Sequence, residues 1–148
     1  IMYDLRPVSL DEVGLIPTIE RMAADIGDEK GIDIVVKTIS DNLIFNSLTK
    51  LIVYRIVQES LNNIIKHADA RNVTIRIDVR KDSINGSITD DGKGFGVQEQ
   101  MDSKDKSFGL SSMKERAELA HGSITIKSVL GKGTKIMFSL PNKEEPNE

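Results

Sequence analysis

Hydrophobic residues recur along this chain with two periods, and the switches between them mark its elements. After a bend around Pro7, Ser9 and Asp11 are plausible caps for a helix reaching about Asp25. Ile16, Ile19, Met22, Ala23 and Ile26 fall at helical spacing there, and Gly27 and Gly31 close it. Ile32, Ile34 and Val36 then alternate with Asp33, Val35 and Lys37, the period of a strand. The longest helical run goes from about Ser47, a candidate N-cap, to Ala68. Val53, Val57, Leu61, Ile64, Ile65 and Ala68 form its apolar stripe. Arg55, Glu59, Asn63 and His67 make a polar row on the opposite side, four residues apart each time, edged by Ile52 and Ile56. A polar row bordered by aliphatics is the pattern expected of a cleft wall.

Two strand-like runs follow, Val73 to Val79 and Ser83 to Thr89, separated by a short turn at Lys81-Asp82. The polar stretch from Gly96 to Ser107 reads as a loop. Gly109 opens a helix ending near His121-Gly122, and two further strands form a hairpin around Gly131-Lys-Gly-Thr134. The last residues, 142–148, are charged and read as a disordered tail. Paired antiparallel strands with helices gathered on one face give an α+β fold, a two-layer α/β sandwich.

Two motifs carry the candidate chemistry. In Glu59-Ser-Leu-Asn-Asn63 a carboxylate and a carboxamide stand one helical turn apart, so both point the same way. Asn63 offers an amide oxygen to a hard cation such as Mg²⁺ without repelling phosphates, and Glu59 offers a base, although both could also simply solvate a helix. In Asp90-Asp-Gly-Lys-Gly94 a carboxylate at a strand end can accept from an exocyclic amine, with Gly92 and Gly94 letting a ligand approach the main chain. Asp and Gly also make ordinary turns. Gly109-Leu110 opens a helix whose N–H groups could seat phosphate, or Ser107 could cap it. Lys66 and His67 could reach phosphates or merely favour the helix C-terminus. Together these residues suggest a magnesium-nucleotide site. Gly131-Lys-Gly-Thr134 lacks the spacing of a Walker A loop and the helix that follows one.

Composition narrows the classes. The 148 residues suit one domain, with 39% hydrophobic and 29% charged residues, ordinary for a globular protein. A net charge of −3 gives no overall pull toward nucleic acid, and aromatics at 4% supply no stacking platform. No cysteine is present, which removes disulfides and thiolate metal sites and fits a reducing compartment. No run approaches the roughly 20 apolar residues that span a bilayer.

With the motifs in this order, the chain resembles the ATP-binding catalytic domain of a bacterial sensor histidine kinase. That domain belongs to the superfamily that includes DNA gyrase. The likeness is carried by Tyr3-Asp-Leu-Arg-Pro7, Gln58 to Ala68, Asp90 to Phe95, Ser107-Phe-Gly-Leu110 with Met113 to Arg116, and Gly131 to Thr134. It is closest to the DegS-like kinases, whose partner regulators have helix-turn-helix output domains. The resemblance implies a Bergerat-type sandwich with a mixed, mostly antiparallel sheet. It divides the chain into a stub of dimerisation helix and linker at 1–9, the catalytic domain at 10–141, and the tail.

It further implies Mg²⁺ on Asn63, with Glu59 as base or orienting group. Asp90 would take the adenine amine, Gly92 and Gly94 would line the base, and Gly109 and Leu110 would anchor a lid. Thr134 would stand on the adenine side, with Lys66 and His67 near the phosphates. The γ-phosphoryl group would pass to a histidine on an upstream dimerisation domain and then to a response regulator, in a homodimeric, cytoplasmic protein whose parent could be membrane-anchored. An ATP-hydrolysing switch, a serine kinase of the same superfamily and a nucleotide-free interaction module are the alternatives. Asp91 departs from the Asn common in this family, and Ser112 from a frequent second Gly.

Overall fold

The computed structural model describes residues 6–40, 46–97 and 109–143. The expected tail beyond Lys143 and most of the expected loop before Gly109 lie outside them. The order is α1 (Val8–Glu12), α2 (Leu15–Lys30), β1 (Asp33–Ser40), α3 (Ser47–Asn63), a π turn (Ile64–Ala68), β2 (Asn72–Val79), β3 (Ser83–Asp90), α4 (Leu110–Leu119), β4 (Ser123–Val129) and β5 (Gly133–Pro141). Five strands form one sheet in the order β1-β2-β3-β5-β4. β1 and β2 pair in parallel because the chain crosses over through α3; every other pairing is antiparallel. This is the α+β sandwich with a mixed sheet that the sequence implies. No helix among the described residues is long and apolar enough to cross a membrane.

Cross-strand register organises the covered face of the sheet into rows. Val79, Ile84 and Leu140 make one row; Ile77, Gly86, Phe138 and Ile124 make the next. Gly86 leaves room for the Phe138 ring, since a Cβ there would lie 2.4 Å from it. Ile75, Ile88, Ile136 and Ile126 form the third row. The fourth, Val73, Asp90, Thr134 and Ser128, turns polar at one end of the sheet. Alternation alone produces the rows, because every second side chain of a strand points the same way.

Several local expectations change. The first helical segment is two helices, broken at Gly14 (φ 101°), and α2 runs past Gly27 to end at Gly31 in the left-handed conformation. Pro17 sits in the first turn of α2, where its missing N–H costs nothing. Neither Ser9 nor Asp11 caps α1; Asp11 instead takes a bidentate bond from Arg6 at 2.8 and 2.7 Å. Asn46, not Ser47, caps α3 by accepting from Thr49 N at 3.0 Å.

The polar row of α3 is largely covered, in keeping with the aliphatics that edge it: Arg55 and Asn63 are each only 7% exposed, and Ile52 and Ile56 are buried too. α3 lies on the sheet between α2 and α4, so its flanks are covered as well as its stripe. The Arg55 guanidinium donates to Gln58 Oε1 at 2.9 Å and stacks on the Tyr54 ring at 5.6 Å. At the other terminus Asn142, grouped with the tail on composition, is buried; its N–H donates to Asp82 O and its amide to Arg80 O.

Candidate functional site

The polar row of the sheet meets the C-terminal end of α3 in a narrow cleft that encloses about 20 Å³. Ser60, Asn63, Ile64, His67 and Ala68 form one wall, Ile88, Asp90, Thr134 and Ile136 the sheet side, and Gly94 and Phe95 the loop side. α3 reaches this wall through the π turn, a widening that concentrates at functional sites, and stops at Asp69 in the left-handed conformation (φ 51°). Helical periodicity in the sequence gave no sign of it, since one wider turn leaves an apolar pattern intact.

The loop after Asp90 is stitched down on three sides. Lys93 N donates to Ala68 O at the helix end, Gly131 N of the β4–β5 turn donates to Lys93 O, and Phe95 N donates to Ser128 Oγ at 2.8 Å. Ser128 Oγ in turn lies 2.7 Å from Thr134 Oγ1. Asp91 secures the fourth contact: its Oδ1 accepts from Arg71 N and Asn72 N and its Oδ2 from Asn72 Nδ2, all at 2.9 Å. The Asn72 amide, with those N–H groups, holds the Asp91 carboxyl down to about 2. Asp91 therefore shapes the loop from outside the cleft.

Asp90 inside it behaves oppositely. It is 7% exposed, and its Oδ1 accepts from Gly92 N at 2.8 Å. Burial pushes its carboxyl above the usual range, with the Asp91 charge adding to the rise and the Gly92 N–H opposing it.

The structure brings Asn63, His67, Asp90, Gly94 and Thr134 together in this cleft. Glu59 lies beside it against Gly109, where a Cβ would meet the Glu59 carboxylate at 2.3 Å. Gly92 is not among the residues lining the cleft, and a Cβ there would strike Ala68 O. Leu110 is buried in the core, and Lys66 is exposed on the π turn without lining the cleft. Ser60, Ser128 and Phe95 also stand at the site, where no local sequence signal assigns them a role. Only the register that sets Ser128 beside Thr134 reveals that serine's place.

Among the described residues no group of three or more His, Asp or Glu could cage a metal. The cleft wall instead supplies one carboxamide, with Glu59 a turn earlier. Such a donor set fits a hard cation brought in by a polyphosphate and completed by water.

The family of histidine kinase-, DNA gyrase B- and HSP90-like ATPases matches residues 49–144, which takes in α3 from Thr49 on, the cleft and the sheet from β2 onward. The chain belongs to this family. As a member of the histidine kinase-like ATPases it has ATP as its ligand class. Two curated relatives are signal transduction histidine-protein kinase/phosphatases named DegS. That of Brevibacillus brevis is 38% identical over 141 residues, 95% of this chain and 36% of the relative. That of Bacillus subtilis (strain 168) is 37% identical over 139 residues, 92% of this chain and 36% of the relative. The chain thus spans about a third of the length of these relatives. Among solved structures, the catalytic domain of histidine kinase ThkA superposes with a TM-score of 0.69 at 14% identity, covering 87% of this chain and 90% of that one. At that identity the likeness is one of fold.

Proposed function

We propose that this chain is the ATP-binding catalytic domain of a DegS-like sensor histidine kinase, which presents the γ-phosphoryl group of Mg-ATP to a histidine on an upstream dimerisation domain. A response regulator then receives the phosphoryl group, and the parent protein works as a homodimer in the cytoplasm. The observation that carries this reading is the convergence of Asn63 and Asp90, from two distant motifs, on one cleft in a member of this ATPase family. The likeness to the two DegS kinases supports the choice of phosphotransfer over the other chemistries of the family.

In this reading the buried Asp90 carboxylate accepts from the adenine amine, and Thr134, oriented by Ser128, stands beside it. Gly94 and Phe95 cover the base from the loop side. Asn63 and the phosphates would hold Mg²⁺, which supplies charge neutralisation at the transferring group. Glu59 accepts or orients the proton of the attacking imidazole. His67 lines the phosphate end, and Gly109 places the N-terminal N–H groups of α4 beside Glu59.

Titration with a fluorescent ATP analogue, with and without Mg²⁺, tests the assignment. Asp90→Asn should weaken binding at least tenfold under both conditions, whereas Asn63→Ala should abolish mainly the gain due to the metal. Unchanged affinity in Asp90→Asn overturns the adenine assignment. Steady phosphate release by the chain alone would instead favour the hydrolysing switch.

A further inference from the structure

The face of the sheet turned away from the helices carries a charge pattern that the nucleotide site leaves unexplained. Lys37 of β1 and Arg76 of β2 are register partners on this face, and so are Lys127 of β4 and Lys135 of β5. All four are exposed, and none makes an ion pair among the described residues. Like charges directly opposite each other across a strand pair destabilise a sheet. This sheet places two such pairs on one side, both positive, in a chain whose net charge is −3.

The pairs flank a trough. Between them β3 presents Asn85 and Ser87, short side chains with hydrogen-bonding ends, and Met137 adds an apolar patch. The hollow measures about 380 Å³, and Lys37, Arg76 and Lys135 stand along its sides. Arg76 and Lys135 stand on strands two spacings apart, about 10 Å across the sheet, and are offset by two residues along it. Of the acids of this face, Asp33 stands at the start of β1, whereas Asp78 lines the hollow opposite Asn85, with its Oδ2 paired with Arg80 Nε at 3.0 Å.

We propose that this face docks an extended acidic polypeptide segment, whose carboxylates sit between the two cation pairs while its backbone and small side chains meet the floor of β3. The floor, where Ile39 and Met137 stand beside Asn85 and Ser87, suits a polypeptide with both apolar and polar side chains. A nucleic acid would need a stacking surface, and no aromatic side chain stands among the outward residues of these strands. Complementary charge of this kind sets association rate and specificity more than raw affinity, so binding should be salt-sensitive.

Fluorescence anisotropy with a labelled hexaglutamate peptide tests this on the whole chain. Saturable binding at low ionic strength should fall at least tenfold in the double variant Arg76→Glu, Lys135→Glu. The control Arg21→Glu, Lys30→Glu, with its changes on α2 behind the sheet, should bind the peptide as the parent does. Both should keep their affinity for the ATP analogue. Lys135→Gln should raise the thermal midpoint by about 1–3 °C by relieving one like-charge pair, while weakening peptide binding. The proposal is overturned if the peptide does not saturate or if the α2 control loses as much as the sheet variant. It is also overturned if Lys135→Gln lowers the midpoint, or if an oligouridylate of equal length binds more tightly than the peptide.

Discussion

Asp90 and Asp91 are chemical twins with opposite surroundings. Asp91 is exposed and held by three N–H donors, which favours its charge; Asp90 is buried, which penalises it. The position departs from the Asn common in the family, yet an Asn oxygen could accept the same two backbone N–H groups, so the departure leaves the loop intact. For Asp90 the consequence is a pH effect. A carboxyl held above its usual range takes up its proton at a higher pH than an ordinary Asp, and only the ionised form accepts from an amine with full strength. Affinity for the ATP analogue should therefore decline on acidification beginning above the usual carboxylate range near pH 3.9. Fluorescence titrations of the parent and Asp90→Asn at stepped pH should converge as that range is entered. Parallel profiles would exclude Asp90 as the titrating group.

At the level of elements, α3 is covered on three sides, and the start of α4 meets it beside the site. Gly109 has φ 62° and packs against the Glu59 side chain, so a methyl group there meets both backbone strain and a carboxylate. Gly109→Ala should cost about 1–3 kcal/mol, read as a lower midpoint in urea at unchanged slope. Part of that loss should return when Glu59→Ala is added, because the clash disappears while the strain stays. Strict additivity of the two changes would mean that Glu59 does not rest on Gly109.

For the molecule as a whole, the cleft joins pieces that sequence separates widely: the end of α3, the strand ends of β3 and β5, and the loop clamped by the β4–β5 turn. A ligand that bridges them stabilises the folded state by mass action. At 100 times its dissociation constant ATP should add about 2.7 kcal/mol, visible as a higher thermal midpoint that Asp90→Asn diminishes. A midpoint indifferent to ATP would place the chain among nucleotide-free interaction modules.

The sequence by itself determined most of the elements and the local spacing of the candidate site residues. Periods of two and of 3.6 residues follow from backbone geometry, and motif spacing within α3 puts Glu59 and Asn63 on one side without reference to the rest of the chain. Only the tertiary structure decided what depends on neighbours. Arg55 is buried because α2 and α4 close over the flanks of α3, Gly92 is small because Ala68 O lies against it, and Ser128 matters because register sets it beside Thr134. The paired cations of the open face are of the same kind: Lys37 and Arg76 stand thirty-nine positions apart in the chain and become partners only when β1 and β2 align. Local pattern sees the residue and its turn; burial and cross-strand pairing are properties of contacts that the chain makes only once it has folded.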